Sequence, residues 1–355
     1  DGTGYGSTAE RGIAAASTEW YLAEGSTGWD FDLYYVIQNP GDTEATVMVT
    51  YLRPAPAAPI VHTHTVAPRS RYNIHVDDQA PELSATDVSA HLTATVPVIV
   101  ERAMYLNRPG QFFAAGHESA GVTAPALEWY FAEGATGSYF DLFFTIANPG
   151  ATDAPFEAVY LLPDGTTITR TYTAAANSRM NIWVDTEDTR LADTAVSTII
   201  RCTGGVPVIA ERAMWWPGPS AADWAEAHNS PGATASGVAW AVADGEQGGS
   251  AGADTYLVIA NTSAFAGRVR VTLVFDDGLP AVTREFDLVP SSRTNIYAPW
   301  EFGDLFPAGG HWRFGAIVES LGTTPAQIVV ERAMYSNAGG VPWAAGTSAL
   351  ATRLR

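Results

Sequence analysis

The chain contains no lysine, and arginine supplies all 19 of its basic residues. Asp and Glu together number 38, so the formal net charge is −19 at pH 7. This negative field repels a phosphate backbone, and we therefore expect no nucleic-acid partner. The missing lysine fits a GC-rich genome or a selected surface, and the sequence does not separate the two.

Cysteine is nearly absent as well, since Cys202 is the only one. An internal disulfide is excluded, and so is a metal cluster built on thiolates. Cys202 lies in an apolar run typical of a strand, so we expect it to be a small buried residue. A starting Met, a signal peptide and an apolar run of about 20 residues are also missing. We expect no membrane span in this segment, and a chain that was processed or cut from a longer one.

The templates of common catalytic sites are missing too. There is no Gly-x-Ser-x-Gly, no His-Glu-x-x-His, no phosphate loop and no Gly-rich dinucleotide turn. Carboxylate pairs of the kind glycosidases use do occur, as in any acidic chain, but no polar cluster stands out as singular. We predict that the protein is not an enzyme and holds no resident cofactor.

What the sequence does contain is an internal repeat. A motif centred on Glu128-Trp129-Tyr130 recurs around Trp20 and Trp240, at spacings of 109 and 111 residues. A fixed period of this size predicts tandem domains, here three units of about 110 residues each. The predicted segments are an N-terminal linker or pairing strand at 1–17, repeat 1 at 18–117, repeat 2 at 127–228 and a diverged repeat 3 at 238–348, with short linkers at about 117–127 and 229–238.

Each repeat reads as a series of short strands. An apolar run from Asp141 to Asn148 stops at Pro149-Gly150, and Phe156–Leu162 and Thr166–Tyr172 flank an Asp-Gly turn typical of a hairpin. In repeat 1 we predict separate strands at 86–95 and 96–105. The pattern gives seven or eight strands and no amphipathic helix. The apolar content of 46% is enough for a covered core. We therefore predict an all-β fold of three tandem Ig-like β-sandwiches.

Three sets of charged residues recur at matched positions. They are Glu24, Glu133 and Asp244; Asp32, Asp141 and Asp254; and Arg102, Arg212 and Arg332. Each arginine lies in an apolar run, and a buried guanidinium needs a carboxylate partner. We predict that Arg102 pairs with Glu24 or Asp32 of its own repeat, and likewise in the other repeats. The alternative is Ca²⁺ held by the carboxylates and a nearby Asn.

Repeated asparagines and unrepeated histidines have simpler interpretations. Asn39, Asn148 and Asn261 each follow a strand, where they are expected to satisfy backbone groups of a turn. His62 and His64 share one face of a strand, which is a weak metal signal. This pair does not recur in the other repeats, so we expect no histidine metal site.

The tryptophans divide into two groups. Trp20, Trp129 and Trp240 recur and are predicted to anchor the cores. Others do not recur: Trp215, Trp216, Trp300, Trp312 and Trp343. These either pack under loops or form a patch for stacking on sugars or for contact between subunits.

The Trp-x-x-Ala-Glu-Gly start, the Asn-Pro-Gly turn and the Glu-Arg-Ala-Met strand together resemble a repeat of secreted bacterial and archaeal surface proteins, a domain family of unknown function. The resemblance covers nearly all of residues 18–348 and is weakest in repeat 3. It implies an extracellular, Ig-like module that occurs in tandem arrays. It supplies no catalytic residues.

These observations predict an extracellular structural protein, such as a subunit of a cell-surface filament, sheath or surface layer, or an adhesin stalk. We expect it to assemble through sheet edges and apolar patches, with itself or with other surface proteins. One alternative is a carbohydrate-binding surface module that uses the unrepeated tryptophans. A second is the accessory region of a larger secreted enzyme.

Overall fold

The computed structural model describes residues 12–217, 224–276, 278–303 and 310–355. The predicted all-β class is confirmed, with 60% of the residues in strands and 5% in helices. Of the predicted N-terminal linker, residues 1–11 lie outside the described part, and the first strand begins at Ser17. No helix in the described ranges is long and apolar enough to cross a bilayer.

Repeat 1 forms two four-stranded layers that share one strand. Its strands are β1 (Ser17–Leu22), β2 (Phe31–Asn39), β3 (Ala45–Leu52), β4 (Ile60–Val66), β5 (Ser70–His75), β6 (Ser89–Arg108) and β7 (Gln111–Ala120). One layer has the order β4-β3-β6-β1 and the other β5-β2-β6-β7, with every neighbouring pair antiparallel.

Repeat 2 has the same order with its long strand divided. Its strands are β8 (Glu128–Phe131), β9 (Asp141–Asn148), β10 (Ala154–Leu161), β11 (Thr167–Ala174), β12 (Ser178–Trp183), β13 (Ser197–Cys202), β14 (Ile209–Trp216) and β15 (Glu226–Pro231). The two sheets are β11-β10-β13-β8 and β12-β9-β14-β15.

Repeat 3 follows the same plan and adds a last short strand. Its strands are β16 (Ala239–Gly248), β17 (Ala253–Asn261), β18 (Gly267–Phe275), β19 (Val282–Leu288), β20 (Ser292–Tyr297), β21 (His311–Ser320), β22 (Ile328–Ser336), β23 (Ala345–Leu350) and β24 (Thr352–Arg353). The only α-helix in the described residues is a single turn, α1 (Ala298–Glu301). That the repeats are Ig-like stays a prediction.

The prediction of two separate strands at 86–95 and 96–105 is wrong. In repeat 1 both belong to β6, which pairs with β3 and β1 through its first half and with β2 and β7 through its second. Pro97 interrupts neither half of the ladder, and proline is tolerated where a strand leaves one sheet for another. Repeat 2 has Gly204-Gly205 near this point, and its strand divides there. The last strands of repeats 1 and 2 also run past the predicted boundaries, to Ala120 and Pro231.

The recurring tryptophans anchor the cores as predicted. Trp20, Trp129 and Trp240 are at most 2% exposed. Each indole N–H donates at 2.9 Å to a backbone carbonyl on the long strand or its equivalent, at Val98, Val208 and Ile328. A buried indole keeps its N–H satisfied in this way while its rings fill the core. Cys202, expected to be buried, is only half-buried.

The repeated asparagines close turns, as predicted. The amide of Asn148 donates to the carbonyls of Thr152 and Ala174 at 2.9 Å, and its oxygen accepts the N–H of Gly150 at 2.9 Å. Asn39 and Asn261 make the corresponding bonds in their repeats. One side chain therefore fixes the end of a strand and the loop behind it.

Candidate binding surfaces at the repeat junctions

The buried arginine of repeat 1 lies at the junction with repeat 2. Arg102 Nη1 donates to Glu211 Oε2 at 2.7 Å and to the Glu24 carbonyl at 3.0 Å. Its Nη2 donates to Ser119 Oγ at 2.6 Å and to Asn229 Oδ1 at 2.7 Å. The Arg102 and Glu211 side chains are both 0% exposed. A fully buried guanidinium is thus held by two groups of each repeat.

The junction between repeats 2 and 3 uses the same chemistry. Arg212 Nη1 donates to Glu331 Oε2 and, at 2.9 Å, to the Glu133 carbonyl. Its Nη2 donates to Ser230 Oγ at 2.9 Å and to Ser348 Oγ at 2.7 Å. Both ionic side chains are again 0% exposed. Two junctions with different flanking residues have therefore kept one arrangement of arginine, carboxylate and backbone carbonyl.

The predicted pairing within one repeat is corrected by these contacts. The salt-bridge partners of Arg102 and Arg212 come from the following repeat. Glu24 and Glu133 offer those arginines only their backbone carbonyls. The reason is geometric. Arg102 lies on the core-facing side of β6, with Val100 and Met104. Glu211 reaches it from the outer face of repeat 2, on the same side of β14 as Ala213 and Trp215, which pack in the core of repeat 1. Of the three arginines, Arg332 is the one that forms a salt bridge with a carboxylate of its own repeat within the described residues, that of Asp244 at 3.7 Å.

The junction glutamates have a second role. The other carboxylate oxygen of Glu211 accepts the backbone N–H of Ala23 at 2.7 Å. Glu331 accepts the N–H of Ala132 at 3.1 Å. Each carboxylate thus bridges a guanidinium and a peptide N–H of the preceding repeat, which leaves neither oxygen without a partner in the low-dielectric interior.

A second arginine reaches back across each junction. Arg179 Nη1 lies 3.2 Å from Asp87, and its Nε donates to Ser89 Oγ at 3.2 Å. Arg293 Nη2 lies 3.2 Å from Glu133. Burial raises the pKa of the Glu24 carboxyl, and the charges of Arg179 and Arg102 offset part of this rise.

Apolar contacts join the same faces. Leu52 of repeat 1 is 1% exposed and packs in the core of repeat 2. Leu161 of repeat 2 is 2% exposed and packs in the core of repeat 3. Tyr335 of repeat 3 packs in the core of repeat 2. The three hydrophobic cores therefore run into one another across the junctions.

The second set of repeated aspartates makes no salt bridge with an arginine within the described residues, which corrects the other half of the prediction. Asp32 accepts the amide of Asn107 at 2.7 Å, and Asp254 accepts that of Asn337 at 2.6 Å. Asp141 accepts the indole N–H of Trp224 at 2.5 Å. In each repeat this carboxylate binds a residue before β7, β15 or β23 and so fixes the chain that leads into that strand.

The unrepeated tryptophans do not form one surface patch. Trp215 and Trp216 are 3% and 0% exposed and lie in the cores at the junctions, so neither is an open surface platform. Trp343 is half-buried against Tyr335 and Phe140. Trp312 is half-buried on β21, and Trp300 is 84% exposed beside Tyr297. Only Trp300 of the five is available as an open stacking platform.

An aromatic cleft that no sequence pattern predicted lies at the first junction. This cleft has a volume of about 270 Å³ and is lined from both repeats. Trp29, 89% exposed, is on its lining with Phe31 from repeat 1, and Trp215, Trp224 and Phe143 come from repeat 2. Glu24, Asp87 and Asn181 add polar groups to the lining. Flat aromatic faces combined with a few carboxylate and amide oxygens are the kind of lining that suits a small polar ring such as a sugar.

A smaller polar cluster lies on repeat 1. Ligand atoms of Asp32, His75 and Asp77 lie within 4.8 Å of one another. Asp77 already accepts the N–H of Leu33 at 3.1 Å, and His75 contacts Asp78 at 2.7 Å. Repeats 2 and 3 have Trp183 and Tyr297 at the histidine position, so the cluster is confined to one repeat.

The glutamate that precedes each arginine was the signal that could have located the junctions. A Glu-Arg pair in a strand points its two side chains to opposite faces. When both residues recur in every repeat and both lie in apolar runs, the carboxylate of one repeat can pair with the arginine of the preceding repeat.

An aromatic residue also recurs four positions after the glutamate, as Tyr105, Trp215 and Tyr335, although it is a tryptophan only in repeat 2.

The chain belongs to a family of unknown function (DUF5719), whose model matches residues 1–299. No curated protein matches it. The family assignment therefore defines a class of sequence and brings no activity with it.

Among solved structures, the chain is similar to the crystal structure of Thermotoga maritima 1070, with 16% identity over 31% of this chain and 96% of that one, at a TM-score of 0.28. The Anabaena sensory rhodopsin transducer matches at 23% identity over 25% of this chain and 97% of its own, at a TM-score of 0.22. A tetra-tandem repeat from the extending region of a large adhesion protein matches at 9% identity over 96% of this chain and 74% of its own, at a TM-score of 0.14. Similarities at this level assign no function.

Proposed function

We propose that this protein is an extracellular structural protein of the cell surface, in which tandem β-repeats form one rigid block. The observation that carries the proposal is the pair of junctions, each closed by a fully buried salt bridge. Independent domains joined by flexible linkers need no such contacts, because the linkers alone would hold them together. A chain whose cores merge across the junctions resists bending, which is what a stalk, sheath or filament subunit requires.

The surface composition supports the same proposal. A net charge of −19 keeps the free chain soluble at high local concentration.

We propose no catalytic residue and no resident cofactor. The carboxylates of Glu211, Asp32 and Asp254 accept hydrogen bonds from arginine and asparagine side chains.

Two measurements test this role. Antibodies against the folded chain should label intact cells of the source organism as strongly as lysed ones, and labelling only after lysis contradicts a surface location. Small-angle scattering of the purified protein should fit one rigid shape. An ensemble of freely jointed repeats would contradict the structural role.

The cleft supports a second candidate function, recognition of a surface glycan. Trp29 is almost fully exposed at its edge, an unusual place for so large an apolar ring. If sugars stack there, Trp29→Ala should abolish binding on a glycan array, while Trp300→Ala, an equally exposed tryptophan outside the cleft, should leave it unchanged. Binding that survives the Trp29 change, or is lost only with Trp300, contradicts recognition in the cleft.

A further inference from the structure

The two ends of the array carry the two halves of a junction. We call the side of a repeat that meets the following repeat its forward face; in repeat 1 it contains Ala23, Glu24, Leu52 and Arg102. The side that meets the preceding repeat is its rear face; in repeat 2 it contains Thr145, Arg179, Ile209 and Glu211. Repeat 3 has a forward face and repeat 1 a rear face that meet no repeat within the described residues.

The forward face of repeat 3 contains a buried arginine with incomplete partners. Arg332 is 3% exposed, yet its Nη1 makes no hydrogen bond with any described residue. The Nε atoms of all three arginines are likewise without a described partner, so Nη1 is the atom that sets Arg332 apart. In Arg102 and Arg212, Nη1 is the atom that donates to the glutamate of the next repeat. Burial lowers the pKa of Arg332, and the charge of Asp244 opposes this. A buried guanidinium whose donors are only partly satisfied is costly, so this position is suited to a second carboxylate that comes from elsewhere.

The residues around Arg332 are exposed where their counterparts are covered. Val274 is 46% exposed, while the equivalent Leu52 and Leu161 are 1% and 2% exposed. The Asp244 side chain is 66% exposed, while Glu133, its counterpart, is 4% exposed. The forward face of repeat 3 therefore has the apolar and acidic groups of a junction, but no following repeat buries them within the described residues.

The rear face of repeat 1 is a hollow of about 580 Å³, lined among others by Val36, Gln38, Arg71, Ile99 and Glu101. Arg71 and Glu101 are exposed. Each is the counterpart of a junction residue.

The counterparts in the other repeats are buried: Thr145, Ala147, Arg179, Ile209 and Glu211 in repeat 2, and Val258, Ala260, Arg293, Val329 and Glu331 in repeat 3. Since this face is covered in both repeats that follow another, the hollow on repeat 1 is a place where a forward face fits.

The charges on the two ends are complementary in the order the internal junctions use. In a contact built like the internal junctions, Arg332 of one molecule would meet Glu101 of a second molecule, and Asp244 of the first would meet Arg71 of the second. We propose that a second copy of this chain docks its repeat 1 on repeat 3 of the first, head to tail, and rebuilds the internal junction between molecules. A contact that joins two different faces forms a ring if the rotation closes and a filament if it does not. The proposal deepens the structural role above, on which it rests, and replaces assembly through sheet edges with an ionic contact between a forward face and a rear face.

Charge reversal tests this interface on the full chain. The mass of the wild-type protein in sedimentation velocity should rise with concentration. Glu101→Arg should weaken association by roughly 30-fold or more, because it places two cations together in a desolvated contact. Arg332→Glu should do the same. Glu82→Arg and Arg190→Glu change the same charges at exposed positions outside both faces, and should associate like the wild type.

A crossed mixture separates a lost interface from a lost fold. Chains with Glu101→Arg repel one another, as do chains with Arg332→Glu, but together they form one native pair and one reversed pair, and association should return. Because Glu101 is exposed, its variant should melt at the wild-type temperature, and it keeps the test valid even if Arg332→Glu unfolds repeat 3.

A wild-type chain that stays monomeric at every concentration overturns the proposal. So does a Glu101→Arg chain that associates like the wild type. In the latter case self-association is real but uses another surface, and the structural role itself still stands.

Discussion

At the scale of single residues, the junctions depend on what arginine can do and lysine cannot. Arg102 directs two nitrogens to four oxygens in two repeats, with distances of 2.6 to 3.0 Å. A planar fork with five donors matches such a set, whereas an ammonium offers three donors around a point. In a chain without lysine, the positions that need a buried cation are all served by the residue best suited to them.

Removing a junction carboxylate should destabilise the protein strongly. Glu211→Ala leaves Arg102 buried and unpaired, and we expect a loss of about 3–5 kcal/mol in the free energy of unfolding. Urea denaturation measures it. Glu101→Ala is the matched control, since it changes the same motif position on the exposed face and should cost less than about 0.5 kcal/mol. Equal losses for the two variants would contradict the assigned roles.

One buried carboxyl should make stability depend on pH. Glu226 is 6% exposed, and burial raises its pKa from the ordinary 4.5 to about 7. The folded state therefore holds the proton more tightly than the unfolded state, so this group's contribution to stability falls as pH rises from about 4.5 through 7.

Glu226→Gln should remove that fall, worth roughly 2–3 kcal/mol between pH 5 and pH 8. Melting temperatures of the variant and the wild type across this range measure the difference. Glu82→Gln, at an exposed position, is the control. A variant whose pH profile parallels the wild type would show that Glu226 is not the group responsible.

At the scale of strands and turns, the chain repeats one device at the end of the second strand of each repeat. Asn148→Ala removes four hydrogen bonds to buried or half-buried backbone groups, and we expect a loss of about 2–3 kcal/mol. Thermal denaturation followed by circular dichroism measures it. Asn73→Ala, on an exposed strand position, should change the melting temperature little. A similar loss in both would mean that the turn bonds add nothing specific.

Strands and turns were largely predictable because their signals are local. The Asn-Pro-Gly and Asp-Gly turns and the alternating apolar residues mark β2, β9 and the hairpin of β10 and β11 directly. The continuity of β6 was not predictable, since Pro97 reads locally as a break and only the pairing with strands of both sheets shows that the chain continues. The aromatic cleft was hidden for a similar reason, because Trp29 and Trp224 are nearly 200 residues apart and meet only across a junction.

At the scale of the whole molecule, the merged cores predict cooperative unfolding. Calorimetry of the wild type should show one transition for all three repeats, because each core contains residues of a neighbour. Glu331→Ala opens the second junction and should separate a transition of repeat 3 at lower temperature. Three independent transitions in the wild type would contradict coupling through the junctions.

The partners of the junction residues were beyond what the sequence could supply. The repeats showed that Arg102, Arg212 and Arg332 share a role, and their burial followed from the apolar runs around them. Whether a carboxylate comes from the same repeat or the next depends on how the repeats stack, which no periodicity encodes. The placement within one repeat failed for that reason, while the need for a carboxylate was right.

The exchange of groups at each junction also gives the molecule a direction. At each junction the glutamate that pairs with the buried arginine comes from the following repeat, so the amino-terminal and carboxy-terminal ends of the molecule present different chemical groups. Ser119 and Ser230 steady the first two arginines from within their own repeats, while the corresponding residue beside Arg332 is Ala349. Arg332 thus has the fewest hydrogen-bond partners from its own repeat among the described residues. An array of such chains joined head to tail would have a polarity that a two-fold symmetric contact could not give it.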